Sequence, residues 1–306
     1  MKEHITSKIG LRKCPFLLNA SKWKLLILVV CCTLSIQAKR GKDNLSDRIG
    51  VCTGLSNADI VKNAGGHHVE QGIASFMMPE KSEEDFAKNK EMAAKCALPI
   101  LSCNGFFPGG IRLTGPDVDM DRILKYTEVA LRRAQEVGVV TAVLGSGGAR
   151  SIPEGFSRQE GEAQFVELLK RMGPIAKKYG VTIVIEPLRS QECNFINTVA
   201  EGYEIAKKVN HPNIRVLADL YHMMQEGEGP ESILKAGNKY LRHVHIAEKD
   251  KRTPPGVEGD DFTPYFRALK KIKYKGNISI ECRWSDFPNQ VGPAIQEVKR
   301  QLTAIF

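Results

Sequence analysis

What the chain lacks narrows it first. Among its eight cysteines there is no Cys-X-X-Cys pair, and three of them, Cys14, Cys31 and Cys32, lie in the first 45 residues. The remaining five, Cys52, Cys96, Cys103, Cys193 and Cys282, are odd in number and far apart, which argues against a disulfide framework and a zinc–thiolate site. They are expected to act mainly as small buried apolar groups, and an oxidising compartment would still permit one bridge. Low-complexity tracts are also missing. So is a large net charge on the body: the net charge is +9, but residues 1–42 hold nine Lys or Arg against Glu3 alone, leaving +1 for everything after Lys42. The body therefore has no electrostatic reason to seek a phosphate polymer, and no nucleic-acid partner is expected.

No apolar run reaches the roughly 17 to 25 residues that a bilayer span needs. The longest, residues 25–36, follows a basic stretch ending at Lys24 and leads into Ser35-Ile36-Gln37-Ala38. That pattern is a signal-peptide core with expected cleavage after Ala38, although Ile36 stands where a smaller residue is usual. Residues 1–45 thus read as leader and short linker. Export to a periplasmic or extracellular space is expected, and an uncleaved leader would instead anchor the chain to a membrane. Lipid attachment at Cys31 or Cys32 is not expected, because Val30 or Cys31 occupies the preceding position where a small residue is needed.

From residue 46 to 306, short apolar runs alternate with longer amphipathic ones. Strands are expected at 49–52, 67–71, 100–103, 139–144, 182–186, 215–219, 243–246 and 278–281. Helices are expected at 83–96, 119–136, 161–179, 198–209, 230–236, 264–272 and 290–304. Eight strands, each followed by a helix, in about 260 residues predict one closed parallel (β/α)8 TIM barrel, whose usual size is about 250 residues. A doubly wound sheet would want a glycine-rich phosphate turn after its first strand, and Cys52-Thr53-Gly54-Leu55 is not one. The run from Leu144 through Gly145-Ser146-Gly147-Gly148 to Arg150 is glycine-rich but lacks the Gly-Lys-Ser/Thr ending of a nucleotide loop, and reads as a tight active-site loop.

The chemistry gathers at four strand ends. Glu186, Asp219, His245 and Glu281 each close an apolar strand, and an ionised carboxylate there is costly unless something compensates it. Each alone could cap a helix or pair with an arginine such as Arg189 or Arg283. Together they mark the barrel rim where such enzymes carry their chemistry. Three carboxylates and one imidazole suit a single divalent ion, Mn²⁺, Co²⁺, Mg²⁺ or Zn²⁺, with positions left for substrate. Weaker candidates are Glu70 as a pocket-lining residue and Phe106-Phe107-Pro108-Gly109 as an apolar wall. His67 and His68, adjacent on a strand, point to opposite faces and cannot readily share one ion.

The segments Ile185-Glu186-Pro187-Leu188, Ala218-Asp219-Leu220-Tyr221-His222-Met223, His243-Val244-His245-Ile246-Ala247-Glu248 and Ile280-Glu281 resemble the xylose-isomerase-like barrels, in particular the branch that includes ketose 3-epimerases. The resemblance runs from about residue 49 to the C-terminus. It implies that Glu186, Asp219, His245 and Glu281 hold one metal, that Glu186 and Glu281 also shuttle the proton, and that His222 and Glu192 contact substrate. A basic residue after the His245 strand also binds substrate in that group. Lys251 has the matching offset, while Arg252 directly precedes the turn Thr253-Pro254-Pro255-Gly256, so both are candidates. Two features depart from the group: Arg189 stands where Asn is common, and the glycine-rich loop from Ser146 to Arg150 does not map onto it. Either arginine could receive a carboxylate or phosphate on the substrate.

The expected function is metal-dependent isomerisation or epimerisation of a sugar or keto-sugar through an enediolate. Alternatives on the same barrel are a keto-sugar or cyclitol dehydratase or lyase and a non-catalytic sugar-binding barrel. An apurinic endonuclease would need more histidine and glutamate ligands and a basic face. The oligomeric state is left open, a homo-oligomer included.

Overall fold

The computed structural model describes residues Asn44–Phe306; the expected leader and its cleavage site lie outside them. Eight strands form a closed, all-parallel barrel in sequence order: β1 (Ile49–Cys52), β2 (Val69–Gly72), β3 (Ile100–Asn104), β4 (Thr141–Leu144), β5 (Thr182–Ile185), β6 (Ile214–Asp219), β7 (Leu241–Ile246) and β8 (Asn277–Ile280). Closure by pairing of β1 with β8 excludes the doubly wound alternative. The helices are α1 (Ala58–Asn63), α2 (Glu83–Ala94), α3 (Met120–Glu136), α4 (Gly147–Arg150), α5 (Arg158–Lys178), α6 (Val199–Val209), α7 (Leu220–Gln225), α8 (Glu231–Tyr240), α9 (Thr263–Lys271) and α10 (Phe287–Thr303). Among the described residues no helix is long and apolar enough to cross a membrane, and the cysteines from Cys52 to Cys282 are all free.

Local chemistry explains the element ends. Ser82, Asp119, Ser157 and Thr198 each accept a backbone N–H from the first turn of α2, α3, α5 and α6, a contribution of about 1 kcal/mol per cap. The cap at Ser157 is why α5 starts three residues before the expected 161. Strand β4 starts at Thr141 rather than at 139 because the Val139 N–H still binds Ala134 O at the end of α3, past Gly138 in the left-handed region at φ +88°. Helix α8 runs past the expected 236, through a non-helical Gly237. Leu45, in the expected linker, is buried in the core within the turn Leu45–Asp47, which packs against α10.

Side chains alternate across each strand, and the two faces differ in character. Ile183, Ile185, Val216, Ala218, Val244, Ile246, Ile278 and Ile280 join the large apolar layer shared with the helices. On the opposite, inward face, β4, β5 and β6 contribute a small separate cluster of Val143, Val184 and Leu217. Inward positions on β2, β3, β7 and β8 instead carry Glu70, Ser102, His243, His245 and Ser279, joined by His68 just before β2, all buried and polar. Barrel interiors are normally filled by Val, Ile and Leu. This one is polar across half its circumference, and such groups are tolerated only when hydrogen-bonded.

Candidate metal centre

The four strand-end residues converge. Glu186 follows β5, Asp219 ends β6, His245 is inward on β7 and Glu281 follows β8. One ligand atom from each lies within 4.8 Å of the others. His245 Nδ1 is 2.9 Å from Glu186 Oε1 and 3.2 Å from Glu281 Oε2. Asn104 Nδ2 donates to Glu281 Oε1 at 2.7 Å. Space for the Glu186 carboxylate depends on Gly145, because a Cβ there would overlap Glu186 Oε2. Asp219 divides its work: Oδ1 caps α7 by accepting the N–H of Tyr221 at 2.8 Å, and Oδ2 faces Arg252 Nη2 at 3.2 Å. Capping and site formation are therefore carried by different oxygens of one carboxylate.

Of the two basic candidates, the structure brings Arg252 to the centre. Its guanidinium donates to Asp219 and Glu281 and lies 4.8 Å from the Tyr221 ring centroid. Lys251 is exposed and paired with Asp250. The loop achieves this with Lys251 and Arg252 both at positive φ, +52° and +58°. It is held by Glu248, a buried carboxylate that accepts the N–H of Gly256 at 2.8 Å and of Gly259 at 2.9 Å, and the Thr253 hydroxyl at 3.1 Å. His222 is also in place. Its Nδ1 accepts the Arg189 N–H, so the ring proton sits on Nε2. That buried Nε2 lies 3.5 Å from Asp219 Oδ2 and makes no hydrogen bond. Arg189 and Glu192 pair with each other at 2.7 Å, with Arg189 5.3 Å from the Tyr221 ring centroid.

Arg150 departs from expectation. It is fully buried, and its guanidinium donates to the carbonyls of Leu144, Gly145, Glu186, Phe195 and Ile196. It ties the β4 and β5 loops together and is turned away from solvent, committed to backbone carbonyls. Phe106 and Phe107 are buried as well, with Phe107 packed on Tyr126 at 5.1 Å between centroids, which is loop packing. His68 Nε2 meets Ser279 Oγ at 3.1 Å, away from the four-residue cluster.

The sequence reading missed the inner support. Glu70 Oε1 lies 2.9 Å from His245 Nε2, and Glu70 Oε2 lies 2.9 Å from His243 Nε2 while accepting the Ser102 hydroxyl at 2.6 Å. The two-residue spacing of His243 and His245, which puts both on one strand face, was the available signal.

Electrostatics follow from this wiring. Burial pushes the Glu186 carboxyl up, with the His245 hydrogen bond opposing. Burial acts on Glu281 in the same sense, but His245 and Arg252 outweigh it and hold that carboxyl well below the usual range. Glu70 is held low too, since His245 and His243 overcome its burial. His245 is raised: burial opposes its charge, and Glu70 and Glu281 prevail. Three carboxylates and one imidazole with this convergence form an oxygen-rich donor set with a single nitrogen. The residues present therefore fit one divalent ion.

The chain matches the family model of the xylose isomerase-like TIM barrel over residues 58–304. It is 35% identical to the L-ribulose 3-epimerase of Methylomonas sp. (strain DH-1) over 160 residues, 51% of this chain and 53% of that protein. It is 28% identical to a probable ketose 3-epimerase of Synechocystis sp. over 199 residues, 63% of this chain and 67% of that protein. The matches thus span about half to two-thirds of these relatives' length. Among solved structures, the IOLI protein with a bound zinc atom superposes with a TM-score of 0.65 at 19% identity, covering 85% of this chain and 99% of that one. At that identity the likeness is one of fold.

Proposed function

Because the chain belongs to the xylose isomerase-like TIM barrel family, we propose that it is a divalent-metal-dependent sugar epimerase or isomerase, with Glu186 and Glu281 moving the proton. The carrying observation is the convergence of Glu186, Asp219, His245 and Glu281 within 4.8 Å. The epimerase relatives support the sugar class.

Glu186, Asp219, His245 and Glu281 would hold the ion. Bound there, it would supply Lewis-acid polarisation of a ketone, which acidifies the neighbouring C–H. The carboxylates of Glu186 and Glu281 arrive from β5 and β8, three strands apart on the rim, so one can take the proton from that carbon and the other can return one. His222, with an unpartnered Nε2–H, donates to a substrate hydroxyl. Arg252, held by the Glu248-ordered loop, offers its remaining N–H groups to substrate oxygens beside Glu281. Arg189 and Glu192, neutralising each other at the mouth, contact the distal part of the substrate. The leader exports the barrel, and the mature chain begins near Lys39; the mass of protein recovered outside the cytosol tests this.

The functional test incubates Mn²⁺-loaded protein with a panel of sugars, keto-sugars and keto-glycosides in D₂O. Solvent deuterium at the carbon next to the carbonyl, in a product of unchanged formula, is the expected result. Loss of water identifies a lyase instead. Sugar binding that persists after chelation, with no turnover on the panel, identifies a binding protein.

A further inference from the structure

We infer that Glu70 is a positioning residue that selects which nitrogen of His245 is presented to the carboxylate cluster, and hence which atom a divalent ion meets. The inference rests on the metal reading above. An ionised carboxylate only accepts hydrogen bonds. Both of its oxygens face an imidazole, Oε1 at 2.9 Å from His245 Nε2 and Oε2 at 2.9 Å from His243 Nε2. Both rings must therefore carry a proton on Nε2. His245 Nε2 is committed to Glu70, and Nδ1 is left facing Glu186 Oε1 and Glu281 Oε2.

One carboxylate gripping two imidazoles also fixes its own orientation. Oε2 takes the Ser102 hydroxyl as well as His243, and His243 Nε2 is 3.3 Å from Ser279 Oγ, which reaches His68 Nε2 at 3.1 Å. Glu70 is 1% exposed, so no water-facing rotamer competes. The contacts tie β2 to β3, β7 and β8 and leave Glu70 one way to sit. An amide of the same shape cannot reproduce this. Glutamine has one accepting oxygen and one donating NH₂, so whichever way it turns, one imidazole faces a donor and must move its proton to Nδ1. For His245, that leaves Nε2 bare and keeps the remaining proton on Nδ1, the nitrogen facing Glu186 and Glu281, where it competes directly with an ion. Carboxylate partners of ligating histidines typically alter metal affinity 10- to 100-fold.

The test compares calorimetric titration of Mn²⁺ into wild-type and Glu70→Gln protein, and reads the His245 ring nitrogens of the Zn²⁺-loaded wild type by ¹⁵N NMR. A Kd weaker by about 10- to 100-fold in the variant is expected, with the wild-type spectrum showing the proton on Nε2 and the ion at Nδ1. A folded Glu70→Gln protein that binds Mn²⁺ as tightly as wild type overturns the inference alone. Coordination through Nε2 does so too, and that spectrum decides the matter even if the variant does not fold. A wild type that takes up neither ion overturns the metal reading, and this inference with it.

Discussion

Arg252→Ala should lower the stability of the metal-free protein and, at the same time, tighten metal binding. The guanidinium donates to Asp219 and Glu281, and its side chain is 18% exposed. Hydrogen bonds to charged groups contribute about 1.5–3 kcal/mol each. With a discount for partial exposure, losing two gives roughly 3 kcal/mol in the metal-free state. For a domain of this size that is a fall in Tm of about 6–12 °C. An ion held by the same carboxylates would compensate them without the arginine, so the loss in the loaded state should be closer to 1 kcal/mol. Linkage makes the difference, about 2 kcal/mol, a roughly 30-fold tighter Mn²⁺ Kd. Differential scanning calorimetry with chelator and with Mn²⁺, beside calorimetric titration, measures all three quantities. Equal Tm losses in the two states, or weaker Mn²⁺ binding in the variant, would refute the idea that Arg252 and the ion neutralise the same carboxylates.

Three further outcomes follow from the same geometry. Glu186→Gln and Glu281→Gln should each reduce deuterium exchange at the substrate carbon by at least about 100-fold, the lower range for general acid–base groups; exchange at the wild-type rate in both would remove them from the mechanism. Lys251→Ala should leave kcat/KM within about twofold, because that side chain is exposed and paired only with Asp250, whereas Arg252→Ala should raise KM; the reverse pattern would exchange their roles. Burial lowers the His68 imidazole from 6.5 to about 3, so between those values the unfolded chain holds the extra proton and stability falls as pH falls, by about 1.4 kcal/mol per pH unit. Urea denaturation of His68→Asn from pH 6 to 4 should show a pH slope shallower than wild type by that amount, and parallel slopes would show that His68 takes up its proton in the folded state.

The fold was legible because it is written in local patterns: eight apolar runs with amphipathic helices between them. The convergence of Glu186, Asp219, His245 and Glu281 was legible for a related reason, since each is a polar residue at or beside the end of a strand. What local pattern could not carry was pairing across the barrel. Nothing near Glu70 in the chain announces that two imidazoles 173 and 175 positions later will share its oxygens. Nor does the loop from Gly145 to Arg150 reveal that its arginine turns inward to bind carbonyls as distant as Ile196. The choice between Lys251 and Arg252 was undecidable for a subtler reason. Adjacent residues diverge by backbone conformation, and the positive φ at both positions is held by Glu248, whose carboxylate reaches forward to Gly256 and Gly259. In each case the illegible part is a buried charge whose partners are set by closure of the barrel or of a loop. Such groups are costly to leave unmatched, so a polar residue on the inward face of a predicted strand already states that a partner exists. Only the folded chain states which one.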